Sequence, residues 1–155
     1  MIRILRHPAT NAICIGLFTA FYGAVFLAAS RRIVHESLLY YGGTKQGVNP
    51  LWNDWCAFLA TGHHAYIAYV MIAITLLIVV LLSMRRHPYD EYHTALLINS
   101  LALAAVLTLI AIAVFYLLIL SDPNGIVVKF TLFISIHWTS VVLSDLVYVL
   151  LSRWG

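Results

Sequence analysis

Hydrophobic side chains make up 63% of this 155-residue chain and charged ones only 10%, against roughly 45–50% and 25% in soluble domains. A water-soluble fold could not cover that much apolar surface. The formal charge of +3 comes from 9 Lys+Arg against 6 Asp+Glu. The basic residues gather at the ends of apolar runs (Arg3, Arg6, Arg31, Arg32, Arg85, Arg86, Arg153), where headgroups rather than nucleic acid would meet them.

Four long apolar runs predict an all-α integral membrane protein, an antiparallel bundle of four transmembrane helices forming one membrane domain over 1–155. An apolar stretch of about 18 residues or more, rising about 1.5 Å per residue, crosses a hydrocarbon core about 30 Å thick. The first span is placed at 9–31. Ala12 to Ala29 is long for the core of a signal peptide and is followed by Arg31-Arg32 rather than a cleavage context, so it is expected to be retained. Gly16, Ala20, Ala24 and Ala28 recur every four residues along it, with Gly23 alongside, a ridge on which a neighbouring helix could pack closely. The same ridge could equally serve as a homodimer seam.

The connection over 32–54 is the only long one. It carries Leu38-Leu39-Tyr40-Tyr41 and Trp52, and is expected to lie as an aromatic interfacial loop. The second span, 55–84, closes at Arg85-Arg86-His87-Pro88. The third, 92–121, follows Asp90-Glu91, acids that suit a helix N-terminus. It ends in the turn residues Ser121-Asp122-Pro123-Asn124-Gly125, and the fourth span is placed at 126–151. The short connections predict that spans 2 and 3, and spans 3 and 4, are antiparallel neighbours. Cys14 and Cys56 fall near opposite membrane faces, too far apart for a disulfide.

Ionisable groups inside a span are costly and raise a functional hypothesis. His137 falls near the middle of span 4 and Asp145 eight residues later. His137, Ser144 and Tyr148 share one helical stripe, with Asp145 on its flank. Asn99 in span 3 comes to the same depth as Asp145, which predicts an Asn99–Asp145 contact with Ser100 and Ser144 beside it. His137, Asp145, Asn99, Ser144 and Tyr148 are therefore the candidate ligand- or ion-binding residues. The competing reading is a hydrogen-bonded clasp between helices.

His63 and His64 are the candidate metal ligands, with His137 a few ångströms deeper. Adjacent histidines point about 100° apart on a helix and cannot share a small ion unaided. No cofactor is favoured; a b-type haem or a transition metal is the alternative. His87, Asp90, Glu91 and His93 read as a solvated turn and helix start. No nucleophile elbow, P-loop, zinc-protease helix or nucleotide fingerprint is present in the sequence.

These residues point first to binding or movement of a small ligand, ion or proton at an intramembrane polar site, by a homo-oligomer or with a partner membrane subunit. The second reading is an accessory subunit of a larger membrane complex, and a histidine-dependent enzyme ranks last. The lipid bilayer is the expected surrounding, in the plasma (inner) membrane. Both termini are placed in the cytoplasm, since that side then carries five basic residues against four on the other.

Overall fold

The structure, a computed structural model, describes residues 7–35, 50–85, 89–121 and 126–154. Every regular element among them is a helix: α1 (Pro8–His35), α2 (Pro50–Ala60), α3 (His64–Ser83), α4 (Glu91–Ser121) and α5 (Ile126–Trp154). Four stretches are long and apolar enough to cross a membrane: Pro8–Arg31, His64–Ser83, Glu91–Leu120 and Ile126–Ser152. Most of the interfacial loop assigned to 32–54 lies outside the described residues.

The run assigned to 55–84 is carried by two helices. Gly62, at φ 80°, takes the left-handed conformation that ends α2. Its N–H bonds to the Leu59 carbonyl at 3.1 Å, while the Thr61 hydroxyl donates to the Phe58 carbonyl at 2.9 Å. The chain resumes at once as α3. At the next connection, Asp90 caps α4 by accepting the His93 backbone N–H at 2.8 Å, and Glu91 occupies the first turn. Both acids thus stand where a helix N-terminus favours negative charge.

Packing follows seams spaced three or four residues apart. In α3 the buried residues are His64, Ala68, Met71, Thr75, Ile78 and Leu82. In α1 they are Pro8, Ala12, Ile15, Thr19, Gly23, Phe26 and Ser30. The ridge predicted on Gly16, Ala20, Ala24 and Ala28 is displaced from this seam by about one residue: Ala20, Ala24 and Ala28 are exposed, and nothing lies within 4 Å of where a Gly16 side chain would start. Gly23 is the glycine that admits a neighbour. A Cβ there would lie 3.2 Å from Cη2 of Trp138, which is fully buried. Small size marked two faces of α1, and the bulk of Trp138 selects one of them.

A relay of hydrogen bonds ties three helices at this level. Trp138 Nε1–H donates to the Thr19 hydroxyl at 3.4 Å, Thr19 meets the Thr75 hydroxyl at 2.8 Å, and Thr75 donates to the Met71 carbonyl at 2.9 Å. Trp55 adds a contact from α2 to α5, donating to the Thr131 hydroxyl at 3.1 Å.

Helix α5 is central and packs against each of the other four. Helix α4 packs along α5 alone, with Leu97 and Ala104 buried and most of its large apolar residues exposed. Spans 2 and 3 are thus joined by a short connection but are not packed neighbours along their lengths. A short connection fixes only the ends of two helices; beyond it, the broad buried face of α5 takes up both. By the same arrangement α1 and α4 each rest on α5 and scarcely meet each other. The functional candidate lies where they part.

Candidate functional site

Asp145 reaches the gap between α1 and α4 from the floor that α5 provides. It is 5% exposed. Its Oδ1 accepts a hydrogen bond from Asn11 Nδ2 at 3.1 Å, and its Oδ2 is buried without a hydrogen-bond partner. Contacts between these two helices advance along α1 as they recede along α5: Asn11 meets Asp145, Thr19 meets Trp138 and Tyr22 meets His137.

The gap is a cleft of about 200 Å³. Helix α5 contributes Val141, Ser144 and Asp145 to it. Asn11, Cys14, Ile15 and Phe18 form the α1 wall, and Ser100 and Leu101 the α4 wall. Its polar lining residues are Asp145, Asn11 and the two serines, and most of the remaining lining is apolar. Among the described residues, no lysine, arginine or histidine lines it. Cys14 and Leu101 are exposed, so the cleft opens sideways between two helices rather than through an end of the bundle.

Asn99 is exposed and does not line the cleft. The predicted Asn99–Asp145 contact is replaced by Asn11–Asp145, because α1, not α4, lies against this face of α5. The partner of Asp145 was nonetheless visible in the sequence. Asn11 is the only asparagine in α1, and depth arithmetic between spans 1 and 4 brings it to the level of Asp145 as readily as it brings Asn99 there.

Below Asp145 toward the connection, Tyr148 and Tyr89 are buried with their rings edge to face, centroids 5.8 Å apart. Their hydroxyls interact electrostatically with each other, and that of Tyr89 with Asn11, without reaching hydrogen-bond geometry. Burial pushes the Tyr89 hydroxyl above its ordinary pKa. The Arg85 guanidinium lies over the Tyr89 ring at 5.6 Å and hydrogen-bonds His93, whose Nε2 also approaches the Ser152 carbonyl at 3.3 Å. The backbone N–H of His93 holds the Asp90 carboxyl below the usual carboxylate range. The aromatic pair therefore separates a charged surface cluster from the cleft.

His137 lies outside the cleft. Its Nδ1 shares a hydrogen bond of 2.6 Å with the Tyr22 hydroxyl. Phe18 stacks on Tyr22 with centroids 4.3 Å apart and meets the His137 ring edge-on at 5.9 Å, so this aromatic group closes the inner end of the cleft. Ser144 and Tyr148 are buried, Ser144 in the lining and Tyr148 behind it. The structure thus brings Asp145 and Ser144 together in the cleft, puts Tyr148 and His137 at its margins, and leaves Asn99 outside.

The two adjacent histidines have different partners. His64 is buried, and its Nδ1 donates to the Leu59 carbonyl at 3.0 Å, serving the last turn of α2, whose final carbonyls lack helical partners. His63 is exposed, bonded to the Thr61 hydroxyl at 2.7 Å and stacked near Tyr66. Among the described residues no group of three or more His, Cys, Asp or Glu converges as a metal site would require. The chain matches no protein-family profile, no curated protein and no solved structure.

Proposed function

We propose that this chain is an integral membrane protein in which four antiparallel spanning helices hold an intramembrane site for a small ligand, ion or proton, anchored by Asp145. The observation that carries the reading is the state of that carboxylate: nine-tenths buried in a residue that lines a cleft, with one oxygen satisfied by Asn11 and the other unpartnered. A buried carboxylate oxygen with no donor is expensive in a low-dielectric setting. A proton, a cation or a ligand N–H relieves that cost. Supporting the membrane setting, the exposed surface of α3 and α4 is built from Leu, Ile and Val with few polar interruptions.

The plasma membrane, with both termini in the cytoplasm, remains the proposed location and orientation. Resistance to carbonate extraction and reporter fusions at either end test these. The site is tested with a hydrophobic carbodiimide, which partitions into membranes and modifies protonated carboxyls. Among the six acidic residues, Asp145 is expected to be the one labelled in intact membranes, and Asp145→Asn to abolish labelling while the melting temperature is retained. Absence of label at Asp145, or collapse of the fold in Asp145→Asn, would instead make Asp145 a clasp.

A second reading, an accessory subunit, draws on α4: its outer face is apolar and, among the described residues, is covered by no other helix. Recovery from mild detergent as a single species with no partner would count against it.

A further inference from the structure

The shape and chemistry of the cleft point to a particular class of ligand, an inference that rests on the Asp145 site proposed above. We infer that the cleft takes a small amphiphilic amine arriving sideways from the bilayer, its protonated nitrogen on Asp145 and Asn11 and its apolar body along Ile15, Phe18 and Val141. The polar end holds one carboxylate and several further acceptors. Asp145 Oδ2 is unpartnered. Asn11 turns its amide N–H toward Asp145, which leaves its side-chain carbonyl as an acceptor, and Ser100 and Ser144, whose hydroxyls accept as well as donate, also line the cleft. A primary ammonium carries three N–H donors and no acceptor, which complements this end of the cleft.

Other ligand classes fit less well. Among the described residues no cationic side chain lines the cleft, and its one charged group is a carboxylate, so an anion would be repelled. A bare metal cation of the calcium type asks for six to eight oxygen ligands, whereas most of this lining is carbon. Size narrows the class further. A cavity of about 150 Å³ holds a benzene molecule, and this one of about 200 Å³ leaves room for a ring plus a short aminomethyl arm. Along α5, Val141 lies one turn from Asp145, about 6 Å along the axis, which matches the span of such a molecule. At the inner end, the Phe18–Tyr22 stack offers a surface that favours an aromatic ring edge-on or offset. Entry from the side follows from the fold: the flanking residues Ile13, Leu17 and Leu101 are exposed and apolar, and α1 and α4 do not close on each other.

The test is equilibrium binding of radiolabelled benzylamine to the full chain in lipid nanodiscs, corrected for uptake by empty discs. Saturable binding is expected, with benzyl alcohol, nearly the same shape without the charge, competing at least about tenfold more weakly because it forgoes the charge-assisted hydrogen bonds. Asp145→Asn should weaken benzylamine by a similar factor. Val141→Phe, which fills the apolar part and leaves the carboxylate in place, should also abolish binding while the melting temperature is kept. Uptake that rises linearly as in empty discs, displacement by benzyl alcohol as effective as by benzylamine, or full binding in Val141→Phe would each overturn the assignment. A parallel arm uses ²²Na⁺ and proton release. Asp145-dependent binding of either, without benzylamine binding, would overturn the amine and leave the carboxylate site standing. If none of the probes depends on Asp145 and its replacement only lowers the melting temperature, both readings fall.

Discussion

The position of every residue in the cleft depends on which face α1 turns toward α5, and two glycines on that helix distinguish the alternatives. A side chain at Gly23 would begin 3.6 Å from Cζ2 of Trp138 and 3.2 Å from its Cη2, the latter shorter than the usual carbon separation of about 3.5–4.0 Å. At Gly16 nothing lies within 4 Å. Gly→Ala in a helix interior gains about 0.8–1.0 kcal/mol in propensity. For Gly23→Ala that gain is offset by pressing on a fully buried indole, and the net change should be close to zero. Gly23→Leu drives three more carbons into the same indole and should cost about 3 kcal/mol, the upper end of ordinary overpacking. Gly16→Leu meets open space and should be neutral or stabilising by about 0.5–1 kcal/mol. Reversible unfolding in bicelles, read by Trp fluorescence, would then separate the two leucine variants by about 3–4 kcal/mol. Should Gly16→Leu prove as damaging as Gly23→Leu, α1 is rotated by about one residue from the seam described. Asn11 would then turn away from Asp145, and the cleft would go with it.

Three further outcomes follow from the same contacts. Thr19→Val removes two interhelical hydrogen bonds, one from Trp138 and one to Thr75, whereas Thr75→Val removes one interhelical bond and its bond to Met71 within α3. At about 0.6–1.7 kcal/mol per interhelical bond in a bilayer, Thr19→Val should destabilise about twice as much in the same bicelle assay, and equal costs would break the relay. Tyr22→Phe removes the 2.6 Å contact to His137; ¹⁵N NMR of the imidazole should show the Nδ1 shift changing while Asp145-dependent binding persists, and an unmoved shift would refute the pairing. Asp90 is held below the ordinary carboxylate pKa by the His93 N–H. Its contribution is therefore complete above the unfolded-state value of about 3.9 and fades as pH falls through the lower folded value. Asp90→Asn should flatten the acid limb of the melting curve, and an unchanged limb would place the titration elsewhere.

The features legible in the sequence were those that depend on one helix at a time. Apolar length placed the spans at 9–31, 92–121 and 126–151 within a few residues of Pro8–Arg31, Glu91–Leu120 and Ile126–Ser152, and Asp90-Glu91 marked the start of α4. What was not legible depended on rotation and neighbour choice. The break at Thr61–His63 turns on a single glycine at positive φ inside an otherwise continuous apolar run. The small residues of α1 occur on adjacent faces, and only the partner's shape chooses between Gly16 and Gly23. Asp145 stands out in the sequence as a carboxylate in an apolar run. Its partner was misassigned because the depth of a residue is readable from rise, whereas which of three neighbouring helices faces it is not.

Clasp and site make different demands on polar groups, and this bundle holds fully paired groups beside one that is half paired. A clasp satisfies donor and acceptor together. Trp138 with Thr19, Thr19 with Thr75, Tyr22 with His137 and Trp55 with Thr131 are of that kind, each set where two helices pack against each other. Asp145 has four lone-pair positions and meets Asn11 with one oxygen alone, at the place where two helices resting on α5 part from each other. If helix association were the whole purpose, a neutral asparagine or threonine could make the same bond to Asn11 without the cost of burying a carboxylate. The second oxygen of Asp145 is buried without a partner, a cost that a proton, a cation or a hydrogen-bond donor would relieve.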